Sequence, residues 1–245
     1  MSMLSFRALL LLCVASGING LVLTTSCERS TVPTITGGVG ELLRVHRWSR
    51  RCGRLLMDSD ERNPGRVVGT DLRILEYPDP RLRASNTDVT SFKDYKLKKL
   101  VKEMFKVMYA SRGVGLAAPQ VGINQRLMVF NPTGDSTEAS SEVVLCNPEI
   151  TEVSEPTEVE VEGCLSFPGF TADVRRHSAI KVRYQNMKGK WLEETLVDWE
   201  ARIFQHEYDH LTSTLYIDRL DASERARVQE NLVELTDKFG PGGAP

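Results

Sequence analysis

Apolar residues recur along this chain with two periods. Leu97, Leu100, Val101, Met104, Phe105 and Met108 keep the 3.6-residue spacing of a helix face, with Lys96, Lys98, Lys99, Lys102 and Lys106 largely opposite. These lysines read as the wet side of an amphipathic helix, and Gly113 reads as its C-cap. Downstream the runs shorten. Leu127–Phe130, Val143–Leu145, Glu149–Val153 and Val159–Glu162 are bounded by Asn-Pro, Ser or Gly and predict strands. Ile180, Val182 and Tyr184 alternate with Lys181 and Arg183, and Asn186–Gly189 turns the chain into Trp191–Val197, a predicted hairpin. Helical spacing returns over Asp198–Leu211 and, more polar, over Ala222–Lys238, before a loose tail. The strands cluster between the helices without alternating with them. That predicts an α+β fold, with antiparallel sheets packed around the second helix, an amphipathic N-terminal helix and a polar C-terminal helix.

Composition changes the picture mainly at the N-terminus. The 245 residues allow one ordinary domain and an appendage. A net charge of −2 gives no overall basicity, so no nucleic acid binding is expected. Five cysteines make no disulfide scaffold. Residues 1–70 carry nine Arg and five acids, and all ten lysines lie from Lys93 onward. Arg7, the short apolar run Ala8–Ala15 and the small residues Ser16, Gly17 and Gly20 have the order of a secretory signal, so residues 1–20 read as signal-like. The run is shorter than the roughly 20 residues that span a bilayer, and no membrane is expected for the mature form. Residues 21–68, rich in Ser, Thr and Arg, read as transit-like and disordered. Together they suit import into an organelle: a plastid, a complex plastid reached through the secretory route, or a mitochondrion. Loss of the leader removes Cys13, Cys27 and Cys52 and leaves Cys146 and Cys164, which suits a reducing compartment.

The candidate chemistry sits on the second helix. His206-Glu207-Tyr208-Asp209-His210 is an H-E-x-x-H sequence. Residues four apart share a helix face, so both imidazoles can reach one ion, and Glu207, about 100° round, can reach a water on it. Trp199 and Ile203 precede the two histidines on the same apolar stripe, which points them inward. The third ligand is open on spacing alone. A downstream carboxylate such as Glu224 or Glu230 is one choice and a thiolate, Cys164, the other; Ser213 and Tyr216 exclude the metzincin pattern. Cys146 reads as core and His177 as exposed.

Gly113-Val114-Gly115-Leu116-Ala117-Ala118-Pro119-Gln120-Val121-Gly122 offers a superficial G-x-G-x-x-A, but a helix precedes it and Pro119 interrupts its downstream half, which rejects a dinucleotide loop. That segment, Glu162-Gly163-Cys164-Leu165-Ser166-Phe167-Pro168-Gly169 and Gln205-His206-Glu207-Tyr208-Asp209-His210-Leu211 together resemble peptide deformylase, in its organellar, plastid-type branch. The likeness runs from about Asp71 to Leu220 and implies a catalytic domain over residues 69–240, followed by the tail 241–245.

The resemblance implies Cys164, His206 and His210 as metal ligands, Glu207 as general base, and Gln120 with the Leu165 N–H as the groups that hold a carbonyl oxygen. It implies Gly115 as lining the substrate cleft. Trp199 and Ile203 are candidate walls of a methionine slot. One divalent ion per chain is expected, Fe2+ physiologically, with Zn2+, Ni2+ or Co2+ as substitutes. The implied substrate is the N-formylmethionyl end of nascent polypeptides, met near an organellar ribosome. Where the family usually has Gly, two residues beyond His210-Leu211, this chain has Ser213, which puts that turn in doubt.

Overall fold

The computed structural model describes residues 63–240. The signal-like segment, almost all of the transit-like segment and the tail lie outside them.

The first long helix, α1, is Tyr95–Ala110. Asp94 starts it by accepting the Lys96 N–H at 2.9 Å, the usual N-cap bond. Its buried stripe is Leu97, Val101, Met104, Phe105, Val107 and Met108, close to the predicted one. The end differs from the prediction. Arg112 takes the left-handed conformation (φ 58°), while the Gly113 N–H returns to Met108 O at 2.9 Å. This is a Schellman ending with Arg where Gly is commoner. Gly113 is needed for another reason: a Cβ there would stand 2.8 Å from Leu165 Cδ1.

Seven strands come next: β1 Gly115–Ala117, β2 Leu127–Phe130, β3 Val143–Val153, β4 Thr157–Glu162, β5 Ala172–His177, β6 Ala179–Gln185 and β7 Trp191–Val197. Five form one sheet in the order β1-β2-β3-β6-β7, while β4 and β5 pair apart, and every pairing between these strands is antiparallel. The α+β expectation holds. Two predicted strands, Val143–Leu145 and Glu149–Val153, are one. Asn147 turns left-handed (φ 51°) before Pro148, the register shifts there, and β3 continues. Asn147 closes the irregularity by bonding both Val89 N–H and Val89 O.

The H-E-x-x-H sequence lies on α2, Asp198–Leu211, which packs across β1, β2 and β7. The predicted C-terminal helix is two: α3 Ala222–Arg227 and α4 Gln229–Phe239, separated at the buried Val228. It is less polar than predicted, because Val228, Leu232 and Leu235 join a core with Phe167, Val174 and Tyr216. A second core lies under α1, and a third between α2 and the five-stranded sheet. Leu165 belongs to the core under α1 and Cys164 to the one beside α4, so two of the cores meet at these adjacent residues.

Candidate metal centre

Three segments distant in sequence converge. Cys164 lies just past the end of β4, Gln120 lies in the single turn Ala118–Val121 that succeeds β1, and His206, Glu207 and His210 are on α2. All five are buried. One donor atom from each of Cys164, His206 and His210 falls within 4.8 Å of the other two. Cys164 Sγ is 3.4 Å from His210 Nε2 and 3.6 Å from Gln120 Nε2.

The orientation of His206 has a visible cause. Its Nδ1 is 2.9 Å from Glu162 Oε2, and a carboxylate only accepts, so Nδ1 carries the proton and Nε2 is left for a cation. Glu162 is fully buried. Its Oε1 accepts from Arg176 Nε at 3.0 Å and Arg202 Nη1 at 2.7 Å, and its Oε2 also accepts from Arg176 Nη2 at 2.9 Å. Burial alone would raise its pKa, but Arg176 and His206 hold it well below the ordinary carboxylate range. Arg176 also reaches Asp209, which lies between the two histidines on α2 and binds Arg219 Nη2 at 2.6 Å.

These groups meet the demands of a cation. A soft thiol and two imidazoles within one small space suit Fe, Zn, Ni or Co, and three protein donors leave a coordination position open. Without a cation the three strain one another's protonation. Burial pushes the Cys164 thiol up and the His210 imidazole down, while Cys164 and Glu162 pull His206 up against its burial. His210 Nδ1 is buried with no hydrogen-bond partner among the described residues.

The carboxylate alternatives lie elsewhere. Glu224 accepts the Asp173 N–H at 2.9 Å and binds Arg227, and Glu230 is exposed. Gly115 lies against Glu207: a Cβ on it would fall 2.9 Å from both Cγ and Cδ of that side chain. Gln120 is pinned through Oε1 by the Ala117 N–H at 2.8 Å, which aims its amide nitrogen at Cys164 and Ser166. Leu165 is buried beside Cys164 and packs on Gly113.

Trp199 and Ile203 are buried in the core that includes Val114, the residue between the two loop glycines, and Trp199 Nε1 donates to Pro132 O at 3.1 Å. Against expectation, His177 is half-buried, because its Nδ1 approaches Ser154 O at 2.6 Å and Gln205 holds its backbone.

The chain matches the family model described as polypeptide deformylase over residues 71–226, a range that spans all three segments. It belongs to that family. It is 46% identical over 170 residues to peptide deformylase 1B, chloroplastic/mitochondrial, of Arabidopsis thaliana, covering 69% of this chain and 62% of that protein. It is 45% identical to the peptide deformylase of Thermotoga petrophila, covering 66% of this chain and 95% of that one. In three dimensions it is similar to crystalline peptide deformylase from Plasmodium falciparum, with a TM-score of 0.68, 39% identity and coverage of 71% of this chain and 100% of that one. The match thus takes in about three fifths of the plant protein's length and nearly all of the bacterial one.

The residues that orient the centre are ones that sequence reading missed as participants: Glu162, Arg176, Arg202 and Asp209. One signal was present. Metal-bound histidines usually donate their second nitrogen to a carboxylate, and Glu162 stands two residues before Cys164.

Proposed function

We propose that this chain is a metal-dependent hydrolase that removes the N-formyl group from the N-terminal methionine of newly made polypeptides, releasing formate. Cys164, His206 and His210 would hold one divalent ion. The observation that carries the reading is the buried convergence of one thiol and two imidazoles with Glu207 on the same helix. Lewis acidity, to polarise a carbonyl oxygen and acidify water, is what the ion contributes when bound.

The remaining work falls to the chain's own groups. Glu207 takes a proton from the attacking water and passes it to the departing amine. The amide of Gln120 and the N–H of Leu165 donate to the oxygen that gains charge as the formyl carbon becomes tetrahedral. One such donor is typically worth about 3–4 kcal/mol of barrier. A formyl carbon bears only hydrogen beyond its carbonyl, so a closed pocket around Gly115 and Cys164 admits it and excludes larger acyl groups. Trp199 and Ile203 wall the apolar slot for the methionine side chain. Their shared core with Val114 supports this placement.

Ferrous iron is the proposed native metal, with zinc, nickel or cobalt able to replace it, as the mixed S/N donor set allows. The proposed compartment is a plastid or mitochondrion, where translation begins on formylated methionine. The plant relative's name, chloroplastic/mitochondrial, supports it, as does the leader-like composition of residues 1–68. The nascent chain on an organellar ribosome is the proposed partner. Among the described residues no helix is long and apolar enough to cross a membrane.

The test is hydrolysis by iron-loaded protein, read as formate release from a short formyl-Met peptide and as acetate release from its acetyl-Met analogue. Release from the formyl peptide alone is expected. Equal turnover of both would contradict the steric account, and turnover of neither would overturn the proposed activity.

A further inference from the structure

Eight of the ten lysines gather at one corner of the fold, although they come from two regions some eighty residues apart. Lys93, Lys96, Lys98, Lys99, Lys102 and Lys106 precede or lie on α1, and all are exposed. Lys188 and Lys190, also exposed, flank the turn between β6 and β7. The fold joins the two groups. A Cβ on Gly189 would lie 2.8 Å from the Phe92 ring, so that turn rests on the residue next to Lys93. Asn147 ties the two strands of chain together below this contact, bonding Val89 on one side and Gln185 Oε1, at 2.6 Å, on the other.

An ordinary wet helix face intersperses both charge signs, because like charges three or four residues apart cost about 0.2–0.5 kcal/mol per pair. Here the acids within the lysine-bearing segments are Asp94 and Glu103. Asp94 caps the helix, and Glu103 is 3.9 Å from Lys99, the one ion pair that these eight lysines make among the described residues. The eight lysines and these two acids sum to +6, whereas the rest of residues 63–240 sums to −11. The chain's low overall charge conceals this separation.

We propose that this corner is a docking surface for the phosphodiester backbone of RNA. Neighbouring lysines at helical spacing lie about 5–6 Å apart, close enough to act together on a polyanion at physiological salt. Tyr95 is 74% exposed at the start of the stripe and lies on the same side of the helix as Lys99, Lys102 and Lys106, where its ring can stack on a base. An anionic lipid surface fits less well. The apolar residues of α1 are committed to the core, which leaves nothing on this helix to insert among acyl chains. The helix is about 24 Å long and its far end leads to Gly113, so RNA held near Lys93–Lys99 would leave the Cys164 centre open. The inference is independent of the proposed deformylation.

The test uses the full-length chain, so that the Arg-rich leader contributes equally to every sample. Fluorescence anisotropy with a short RNA hairpin, which offers a duplex backbone and unpaired loop bases, is recorded over a salt series for the unaltered protein, for Lys99→Gln/Lys102→Gln/Lys106→Gln and for Lys188→Gln/Lys190→Gln. Lys181→Gln/Lys238→Gln, outside the corner, is the control, and thermal melting checks folding. Each lysine that contacts a phosphate should reduce the slope of log affinity against log salt by about 0.7–0.9. The triple variant should bind RNA at least about tenfold more weakly at physiological salt, the double variant should also weaken, and the control should match the unaltered protein. RNA binding unchanged in both corner variants overturns the proposal. So does binding to phosphatidylglycerol–phosphatidylcholine vesicles without binding to RNA.

Discussion

Gly115 lies against the Glu207 side chain so closely that a methyl group on its Cα would overlap the carboxylate. The Glu207 carboxylate keeps its position only because the residue opposite on β1 has no side chain. Gly115→Ala should therefore displace Glu207 while leaving Cys164, His206 and His210 in place. We expect metal content to be retained and kcat to fall at least about tenfold, or 1.4 kcal/mol of barrier, with a smaller change in KM. Steady-state kinetics on metal-assayed protein checks this. An unchanged kcat would mean that the carboxylate can work from elsewhere.

Glu162 holds His206 Nδ1 and neutralises two buried guanidinium groups. Glu162→Gln should cost roughly 10–100-fold in metal affinity, measured by competition with a chelator, because His206 loses the charged acceptor that sets its tautomer and raises its basicity. It should also destabilise the apo-protein by about 3–5 kcal/mol, since Arg176 and Arg202 remain buried. Arg176 keeps Asp209 as a partner, which places the expected loss toward the lower end.

Ser213 occupies a left-handed conformation (φ 60°) at the end of α2, and its hydroxyl donates to Ala84 O at 3.0 Å. The Thr214 N–H returns to Asp209 O at 2.9 Å, so the turn is a Schellman ending despite the missing glycine. The strain of about 1 kcal/mol is offset by a hydrogen bond of similar worth. Ser213→Gly should be neutral to within about 1 kcal/mol, whereas Ser213→Ala keeps the strain, loses the bond and should destabilise by about 1 kcal/mol. Urea unfolding midpoints distinguish the two.

Glu200, in the first turn of α2, has its pKa raised from 4.5 to about 7, by burial first and by the charge of Glu194 second. A carboxyl whose folded-state pKa is raised binds its proton more tightly when folded. Its contribution is favourable in acid and is lost as pH rises from about 4.5 to 7. The side chain is half-buried, so solvent screening limits the effect to about 1–2 kcal/mol. Glu200→Gln should flatten stability over that pH range and stabilise the protein at pH 8. An unaltered pH profile of the urea midpoint would contradict this.

The reach of sequence reasoning tracked the range of the interactions involved. α1 and α2 were legible because a sustained 3.6-residue stripe is a local property, and the strands Leu127–Phe130 and Trp191–Val197 were bounded by local turn signals. β1 and β5 were not foreseen. Gly115–Ala117 is wholly buried and too short to show alternation, and Ala172–His177 carries charges at Asp173, Arg175 and Arg176 whose meaning depends on distant partners. The two candidate histidine ligands were legible as a motif, and Cys164 through the family resemblance alone. The carboxylate–guanidinium cluster that orients them was not, because Glu162, Arg176, Arg202 and Asp209 come from three separate elements. The gathering of Lys188 and Lys190 with the α1 lysines was hidden in the same way.

The most direct measurement pairs metal content with formate release for the unaltered protein and for Glu207→Gln, each loaded with iron under anaerobic conditions. The account predicts one ion per chain in both, with formate released from a formyl-Met peptide by the unaltered protein and turnover abolished in the variant. Turnover that survives Glu207→Gln, or an unaltered protein that binds its metal and releases no formate, would contradict it.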